Sequence, residues 1–296
     1  MSGRKVLQWK KLNKAYIYIA PAIIGIGLFT FFPIVYVIYL SLLNIDLLSG
    51  EQSFVGLSNY TALFKNPEFL QVLRNTAFFL VFQVAISITL ALILAVWLNK
   101  NKFISSLTQT AIFTPHIISL VSVSVLWMWI MEPSAGLLNY FLSFFGIEKI
   151  NWLEDPKIAL ISIIIVSVWK TVGYNTLILL AGLKSIPETI YEAAKLDKAS
   201  KFRTFFKITI PLLSPSLFFL FITNVISSFQ VFDSVRVMTQ GGPINSTNVL
   251  VHWIYQTGFE FYRIGEAATG SVILLIIVII ITLLNFKFLG KKVHYQ

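Results

Sequence analysis

Six long apolar segments run through this sequence, and they restrict its fold more than any other feature. They lie near residues 15–43, 75–99, 105–131, 158–182, 211–232 and 266–286. A helix needs about 20 apolar residues to cross the roughly 30 Å hydrocarbon core of a bilayer, and each segment approaches or exceeds that length. Lipid offers no partners for backbone N–H and C=O groups, which favours helices for such segments. The pattern predicts an all-α, polytopic membrane protein with six transmembrane helices in a single domain, residues 1–296.

Composition agrees with a membrane protein and removes several kinds of chemistry. Hydrophobic residues make up 56% of the chain and charged residues 12%, against about 25% charged in an average soluble domain. The absence of Cys excludes thiolate metal sites, disulfides and cysteine nucleophiles, and three His leave little for a histidine metal centre. We therefore expect no metal site, no bound cofactor and no catalytic residues in this chain.

The positions of Lys and Arg predict the orientation in the membrane. Most of them fall in a leader from Arg4 to Lys14, near Lys100, between Lys184 and Lys207, and at the C-terminus. Short cytoplasmic connections carry an excess of basic residues, so both termini are predicted to be cytoplasmic. The uncharged stretch that follows the leader, 15–45, is too long for a signal peptide and is interpreted as a retained helix. The formal charge of +10 then reflects topology rather than nucleic-acid binding.

The cytoplasmic connection 183–210 is predicted to contain a helix. Ser185 and Glu188 have the spacing of a capping box, with a Pro between them at position 187. A narrow apolar face follows, with two small residues at its centre: Ile190, Ala193, Ala194 and Leu196. Two adjacent alanines let another surface approach the backbone closely. A helix lying on the lipid headgroups, or one packed against the bundle, fits the same pattern.

Short sequence motifs in and after this helix resemble the EAA motif of binding-protein-dependent ABC import permeases. The motif residues are Glu192, Ala193 and Ala194, followed after the expected gap by 208–211 (ITIP). Further words resemble the carbohydrate-uptake class in matching order: 54–60 (FVGLSNY), 75–76 (NT), 133–139 (PSAGLLN), 152–156 (WLEDP), 181–187 (AGLKSIP), Asp233 and 239–243 (TQGGP). The resemblance covers nearly the whole chain.

This resemblance implies the permease fold of type I ABC importers in a bacterial inner membrane. The implied partners are a second homologous permease, two ATPase subunits that hold ATP and Mg, and an extracellular solute-binding protein. The chain contains no Walker A loop, so ATP is expected on another chain. A sugar or oligosaccharide is the expected solute, and glycerol 3-phosphate is the alternative. An ATP-independent secondary carrier is the alternative of another class, but it would need a coupling site such as a buried carboxylate.

The resemblance also implies that the helix in 183–210 is a coupling helix that docks on an ATPase. The implied ATPase-coupling residues are Glu188, Glu192, Ala193, Ala194, Asp197, Lys198 and Ser200. The docking face would be formed by 192–194, while Asp197 and Ser200 would cap the turn into the next helix. The family has glycine where this chain has Lys198. A lysine at positive φ costs about 1 kcal/mol, so we expect that the glycine conformation is not required here.

Polar side chains on apolar spans mark the candidate solute pathway, because a sugar needs hydrogen-bonding groups and aromatic faces. They are Trp169, Lys170, Tyr174, Asn175, Asn224, Ser227 and Ser228, with Gln230 on the same span as the last three. Bridges between helices are the alternative explanation. Lys170 lies near the middle of its span, where its partner is backbone, another subunit or the solute, unless it extends to an interface. An anionic solute such as a glycerol phosphate would explain this lysine directly.

Glycines and prolines predict turns and bends. Gly241, Gly242 and Pro243 indicate a tight turn outside the membrane, and the resemblance assigns this segment to contact with the binding protein. Pro115, Pro211 and Pro215 are expected to bend or begin their spans.

Overall fold

The computed structural model describes residues 16, 18–45, 50–100 and 104–288. The predicted basic leader and the last lysines of the sequence lie outside these residues. The described helices are α1 Tyr18–Ser41, α2 Ser58–Lys65, α3 Pro67–Lys100, α4 Ile104–Ile117, α5 Leu120–Ile130, α6 Leu137–Ser143, α7 Ala159–Ser185, α8 Glu188–Leu196, α9 Lys201–Leu212, α10 Ser214–Phe229, α11 Asp233–Met238, α12 Leu250–Tyr255 and α13 Ile264–Phe288. Five-residue π-helical turns occur within α1, within α9 and directly after α12.

Among the described residues, four helices are long and apolar enough to cross a membrane. These are α1, α3, α7 and α13. Two further candidates are bent pairs: α4 and α5 meet at 102°, and α9 and α10 meet at 65°. If each bent pair is one span, the total is the six that hydropathy predicts.

Proline explains both bends, as the sequence indicates. Pro115 lies inside α4, two residues before that helix ends. Pro211 and Pro215 flank Leu213, where α9 gives way to α10. A proline lacks the N–H of a helical hydrogen bond and its ring clashes with the preceding turn, so a helix breaks or changes direction nearby.

The described residues divide into two compact units, one formed by those up to 63 together with 256–273, the other by those from 64 to 255 together with 274–288. The larger unit is built around α3, α7 and α10. Small residues Ala91 and Ala95 of α3 belong to one buried cluster with Leu179 and Leu183 of α7 and Leu213 at the α9–α10 bend. Because alanines allow close approach of helices, α3 and α7 pack along much of their length.

The smaller unit contains a β-hairpin that the sequence analysis did not anticipate. Strand β1 (Leu43–Ile45) pairs antiparallel with β2 (Gln52–Phe54), with Leu43 opposite Phe54. Asn59 secures the hairpin by donating from Nδ2 to the carbonyls of Ser41 and Leu43, at 3.0 and 2.9 Å. Strands of three residues are too short to produce a recognisable alternation in the sequence.

Candidate functional site

Helix α8 is present where the sequence predicts it, but it begins differently. Its N-cap residue is Pro187, which makes no side-chain capping bond. The Ser185 hydroxyl donates to the carbonyl of Gly182 at 2.8 Å and so belongs to the end of α7. The predicted capping box between Ser185 and Glu188 is therefore wrong. Glu188 occupies the first turn of α8, where a negative charge is favourable to the helix dipole.

The buried and exposed faces of α8 contain different residues from those that the sequence predicts. Ile190 and Tyr191 pack against the cluster formed by α3, α7 and α10, and Ala194 beside them is only 6% exposed. The outward face consists of Thr189, Glu192, Ala193 and Leu196, all of them exposed. These four residues have the i, i+3, i+4, i+7 spacing of one helix face. The predicted docking face is corrected accordingly, because Ala194 points to the core and Leu196, 84% exposed, points away from it.

The end of α8 has the hydrogen-bond pattern of a Schellman motif. The N–H of Lys198 donates to the carbonyl of Lys195, and the N–H of Ala199 donates to the carbonyl of Ala194, both at 3.0 Å. Lys198 has φ of +54°, the left-handed conformation that glycine adopts most easily. The expectation that this position does not require the glycine conformation is therefore wrong. This chain holds a lysine in it.

The turn after Lys198 leads directly into α9. Ser200 is the N-cap residue of α9, and its Oγ accepts a hydrogen bond from the N–H of Arg203 at 3.2 Å. Its predicted capping role is confirmed. Asp197 is the C-cap residue of α8. Its carboxylate accepts no capping hydrogen bond from any of the described residues.

Lys170 on α7 binds backbone rather than another charged side chain of the described residues. Its Nζ donates to the carbonyls of Pro115 and His116, at 3.2 and 3.3 Å, and to that of Ile118. These carbonyls lie at the C-terminal end of α4 and in the break before α5. The last carbonyls of a helix lack intrahelical partners and carry negative partial charge, so an ammonium group suits them. Of the partners that the sequence left open for Lys170, the structure shows backbone.

Two neighbours of Lys170 on the same face of α7 hold α4 in place. Gly173 lies so close to α4 that an added Cβ would be 1.7 Å from the carbonyl oxygen of Ile112. The Tyr174 ring stacks on the His116 ring, with centroids 4.7 Å apart and planes 14° apart. Lys170, Gly173 and Tyr174 have i, i+3, i+4 spacing and act together on one helix end.

A buried polar network joins α3, α7 and α10. The amides of Asn175 and Asn224 donate to each other, both at 3.1 Å, and Asn175 also donates to the Ser87 hydroxyl at 2.7 Å. Ser228 donates to Oε1 of Gln83 at 2.7 Å. The amide hydrogen bonds of both asparagines are thus made within the chain, as expected of bridges between helices.

Gln83 and Ser87, the members of this network on α3, were not predicted from the sequence. Thr171 completes it, lying 3.1 Å from the Ser87 hydroxyl and 3.4 Å from Nε2 of Gln83. The signal was available, because each helix contributes an i, i+4 pair of polar residues to an otherwise apolar span: Gln83 with Ser87, Thr171 with Asn175, and Asn224 with Ser228.

A separate polar stripe lies on the exposed face of α10. It consists of Thr223, Ser227 and Gln230, at i, i+4 and i+7. Ser227 and Gln230 are exposed, and neither side chain has a hydrogen-bond partner among the described residues. Thr223 was not singled out by the sequence analysis. On α7, Trp169 is half-buried and packs edge-on against Trp127 of α5, with centroids 5.6 Å apart.

The Gly241–Pro243 segment forms the predicted turn, and contacts with His252 and Asn75 hold it in place. Gly241 has φ of +85°, and an added Cβ there would lie 3.0 Å from the His252 ring. Asn75 near the start of α3 donates from Nδ2 to the carbonyls of Asn245 and Asn248, at 2.8 and 3.0 Å. At the tip, Ile244 is 83% exposed. We name residues 239–249 the 239–249 loop.

Metal binding finds no support in this geometry. In the part of the chain that the structure describes, no three His, Cys, Asp or Glu side chains come together in a way that could hold a metal ion.

Comparison with known proteins agrees with this arrangement. The family described as binding-protein-dependent transport system inner membrane component matches residues 87–294. The sn-glycerol-3-phosphate transport system permease protein UgpA of Pectobacterium atrosepticum is 33% identical over 282 residues, 95% of each chain. UgpA of Agrobacterium fabrum is 34% identical, over 95% of this chain and 96% of the relative. A probable ABC transporter permease protein of Bacillus subtilis, YurN, is 34% identical, over 94% of this chain and 97% of the relative.

A solved structure has the same fold. It belongs to a bacterial ABC transporter involved in the import of the acidic polysaccharide alginate. The TM-score is 0.82 at 23% identity, over 96% of this chain and 98% of the other.

Proposed function

This chain belongs to the family of inner membrane components of binding-protein-dependent transport systems, and from that premise we propose how it works in an ATP-driven importer. It is the permease subunit, paired with a second homologous permease. ATP and Mg are held by two ATPase subunits on separate chains, and an extracellular binding protein delivers the solute. Both termini and α8 lie on the cytoplasmic side.

The outward face of α8 carries this proposal. Thr189, Glu192, Ala193 and Leu196 present a small, mixed surface with one charge and one large apolar side chain. A central apolar contact with a polar rim is the ordinary composition of a protein–protein interface. We assign this face to the ATPase, with Leu196 as its apolar anchor and Glu192 at the rim.

The inner side of α8 supplies the mechanical connection. Tyr191 packs against the α3–α7–α10 cluster, and its hydroxyl lies 3.2 Å from Oγ1 of Thr209 in α9. The Schellman turn with Lys198 then fixes the direction in which the chain leaves α8. Movement of a partner bound to α8 is therefore transmitted to the spans.

Charge reversal at Glu192 tests the coupling role. We expect Glu192→Lys to abolish solute-stimulated ATP hydrolysis by the reconstituted transporter while the permease still inserts in the membrane. The matched control is Glu148→Lys, the same charge change at an exposed residue of the connection between α6 and α7, which the proposed orientation places outside the cell. Unchanged stimulation in the Glu192 variant would remove α8 from the coupling role.

A hydroxyl-rich solute fits the polar stripe on α10. Thr223, Ser227 and Gln230 are neutral groups that donate and accept hydrogen bonds, and Trp169 offers an aromatic surface of the kind that stacks on sugar rings. We propose that a sugar or oligosaccharide passes along this stripe.

Glycerol 3-phosphate is the second candidate, favoured by the UgpA relatives. Lys170 gives it no direct support, since the ammonium group already donates to three backbone carbonyls. Uptake of radiolabelled glycerol 3-phosphate and of neutral oligosaccharides by cells carrying the complete transporter separates the two. Uptake of glycerol 3-phosphate together with no uptake of neutral oligosaccharides by the unaltered transporter would overturn the sugar proposal.

A further inference from the structure

The first turns of α9 carry an exposed aromatic and basic surface that the proposed function does not use. Phe202 is 74% exposed and Phe206 is 51% exposed, and their rings contact each other with centroids 4.5 Å apart. Arg203 and Lys207 each follow one of these rings in sequence and are also exposed. We name these four residues the α9 patch.

The charges of the patch have no acidic partner in the part of the chain that the structure describes. Among the described residues, neither Arg203 nor Lys207 pairs with a carboxylate, and the same holds for Lys201 at the start of the helix. The side chains of residues 202, 203, 206 and 207 lie on one side of the helix, with the rings at one edge and the cations at the other. An apolar edge beside a basic edge is typical of helices that lie in a membrane interface.

The bend between α9 and α10 gives the depth of the patch. At 1.5 Å per residue, the 16 residues of α10 cover about 24 Å. The 12 residues of α9, inclined at 65° to α10, add about 8 Å along the same direction. The sum is close to the roughly 30 Å of a hydrocarbon core, so an α10 that follows the membrane normal places the first turns of α9 at the lipid headgroups.

We propose that the α9 patch is a binding surface for anionic lipid of the membrane leaflet on the side of α8. The two phenylalanine rings enter the acyl boundary, and Arg203 and Lys207 bind headgroup phosphates. This proposal rests on the proposed function only for the statement that this leaflet is the cytoplasmic one. An ATPase fits the α9 patch less well. The face of α8 that we assign to the ATPase has a different composition from this patch, with an acidic residue and no exposed aromatic ring.

A depth measurement on the full transporter tests the proposal. The chain has no native cysteine, so a nitroxide can be attached at Phe206→Cys, in a second variant at Phe202→Cys, and at Lys195→Cys as the matched control, exposed on α8 and outside the face assigned to the ATPase. The transporter is reconstituted in phosphatidylcholine vesicles with and without about one-third phosphatidylglycerol. Collision rates with oxygen and with a water-soluble nickel chelate then report the depth of each label.

We expect the labels at 202 and 206 to favour oxygen over the nickel chelate several-fold more than the label at 195, and most strongly in vesicles with phosphatidylglycerol. Neutralising Arg203→Gln and Lys207→Gln together should reduce this preference, since one cation near an anionic surface changes an equilibrium by about fivefold.

Two results would overturn the proposal. One is equal access of the nickel chelate to labels at 206 and 195. The other is protection of the label at 206 only after the ATPase subunits are added, which would assign the patch to protein. The label depths do not depend on ATP hydrolysis, so a failure of ATP-driven import in a separate uptake assay bears on the proposed function alone.

Discussion

Replacing Lys170 with methionine tests whether this side chain holds the broken helix pair α4–α5 in shape. Methionine keeps a long unbranched side chain and removes the ammonium group that donates to the carbonyls of Pro115, His116 and Ile118. The variant leaves those carbonyls without their donor at the bend. Lys170→Arg retains the charge and several donors and serves as the conservative control.

The magnitude follows from the hydrogen bonds that the variant loses. The three bonds share one ammonium group, and because Lys170 is half-exposed, water replaces most of them when the α4–α5 pair opens. We therefore take the low end for a single hydrogen bond from a charged group, about 1.5 kcal/mol. This loss corresponds to about a tenfold rise in the opened population.

Labelling of an introduced cysteine measures this opening. Ser124 of α5 is fully buried, so the rate at which a thiol-reactive dye labels Ser124→Cys reports how often the α4–α5 pair opens. We expect about tenfold faster labelling in Lys170→Met and less than a twofold change in Lys170→Arg. Ser162→Cys, equally buried but nearer the start of α7, is the control and should keep its rate. Labelling of Ser124→Cys that stays within twofold in Lys170→Met would refute the reasoning.

Three further predictions follow from the packing. Gly173→Ala should destabilise the folded permease by about 3 kcal/mol or more, because its Cβ would collide with a backbone carbonyl. The control Gly27→Ala, whose added Cβ has nothing within 4 Å, should be tolerated. Equal yields of folded permease from the two variants would contradict this. Lys198→Gly should stabilise the transporter against thermal unfolding by about 0.5–1 kcal/mol, since φ of +54° strains a lysine; a lower melting temperature would argue against strain. Asn175→Ala and Asn224→Ala, made singly and together, should show a coupling energy of about 0.6–1.7 kcal/mol in a double-mutant cycle measured by denaturation. Additive effects of the two changes would exclude the reciprocal hydrogen bonds between the two amides.

Bilayer thickness made the spans predictable from sequence. A minimum length of apolar helix is a local requirement, and it located all six candidates without knowledge of their neighbours. The bends at Pro115 and Pro211 were also predictable, because the missing N–H of proline acts on its own helix. The resemblance to the EAA motif near Glu192 predicted the position of α8 correctly.

Contacts between distant residues were not predictable. The partners of Lys170 lie more than 50 residues away, in a break whose direction depends on how α4 packs against Gly173. Which side of α8 is buried depends on the α3–α7–α10 cluster, so the sequence pattern grouped Ala194 with Leu196 although they lie on opposite faces. The left-handed Lys198 was missed because hydrogen bonds of the whole helix end outweigh the preference of one residue.

The length of α3 has a consequence for communication across the membrane. Near its first turns, Asn75 holds the 239–249 loop through two backbone carbonyls, and toward its other end Ala91 and Ala95 lie in the cluster that supports α8. Its 34 residues extend over about 50 Å without a proline after the first position. Helix α3 therefore contacts both segments, one near each of its ends. Because the helix is continuous, a tilt imposed at one end also displaces the other.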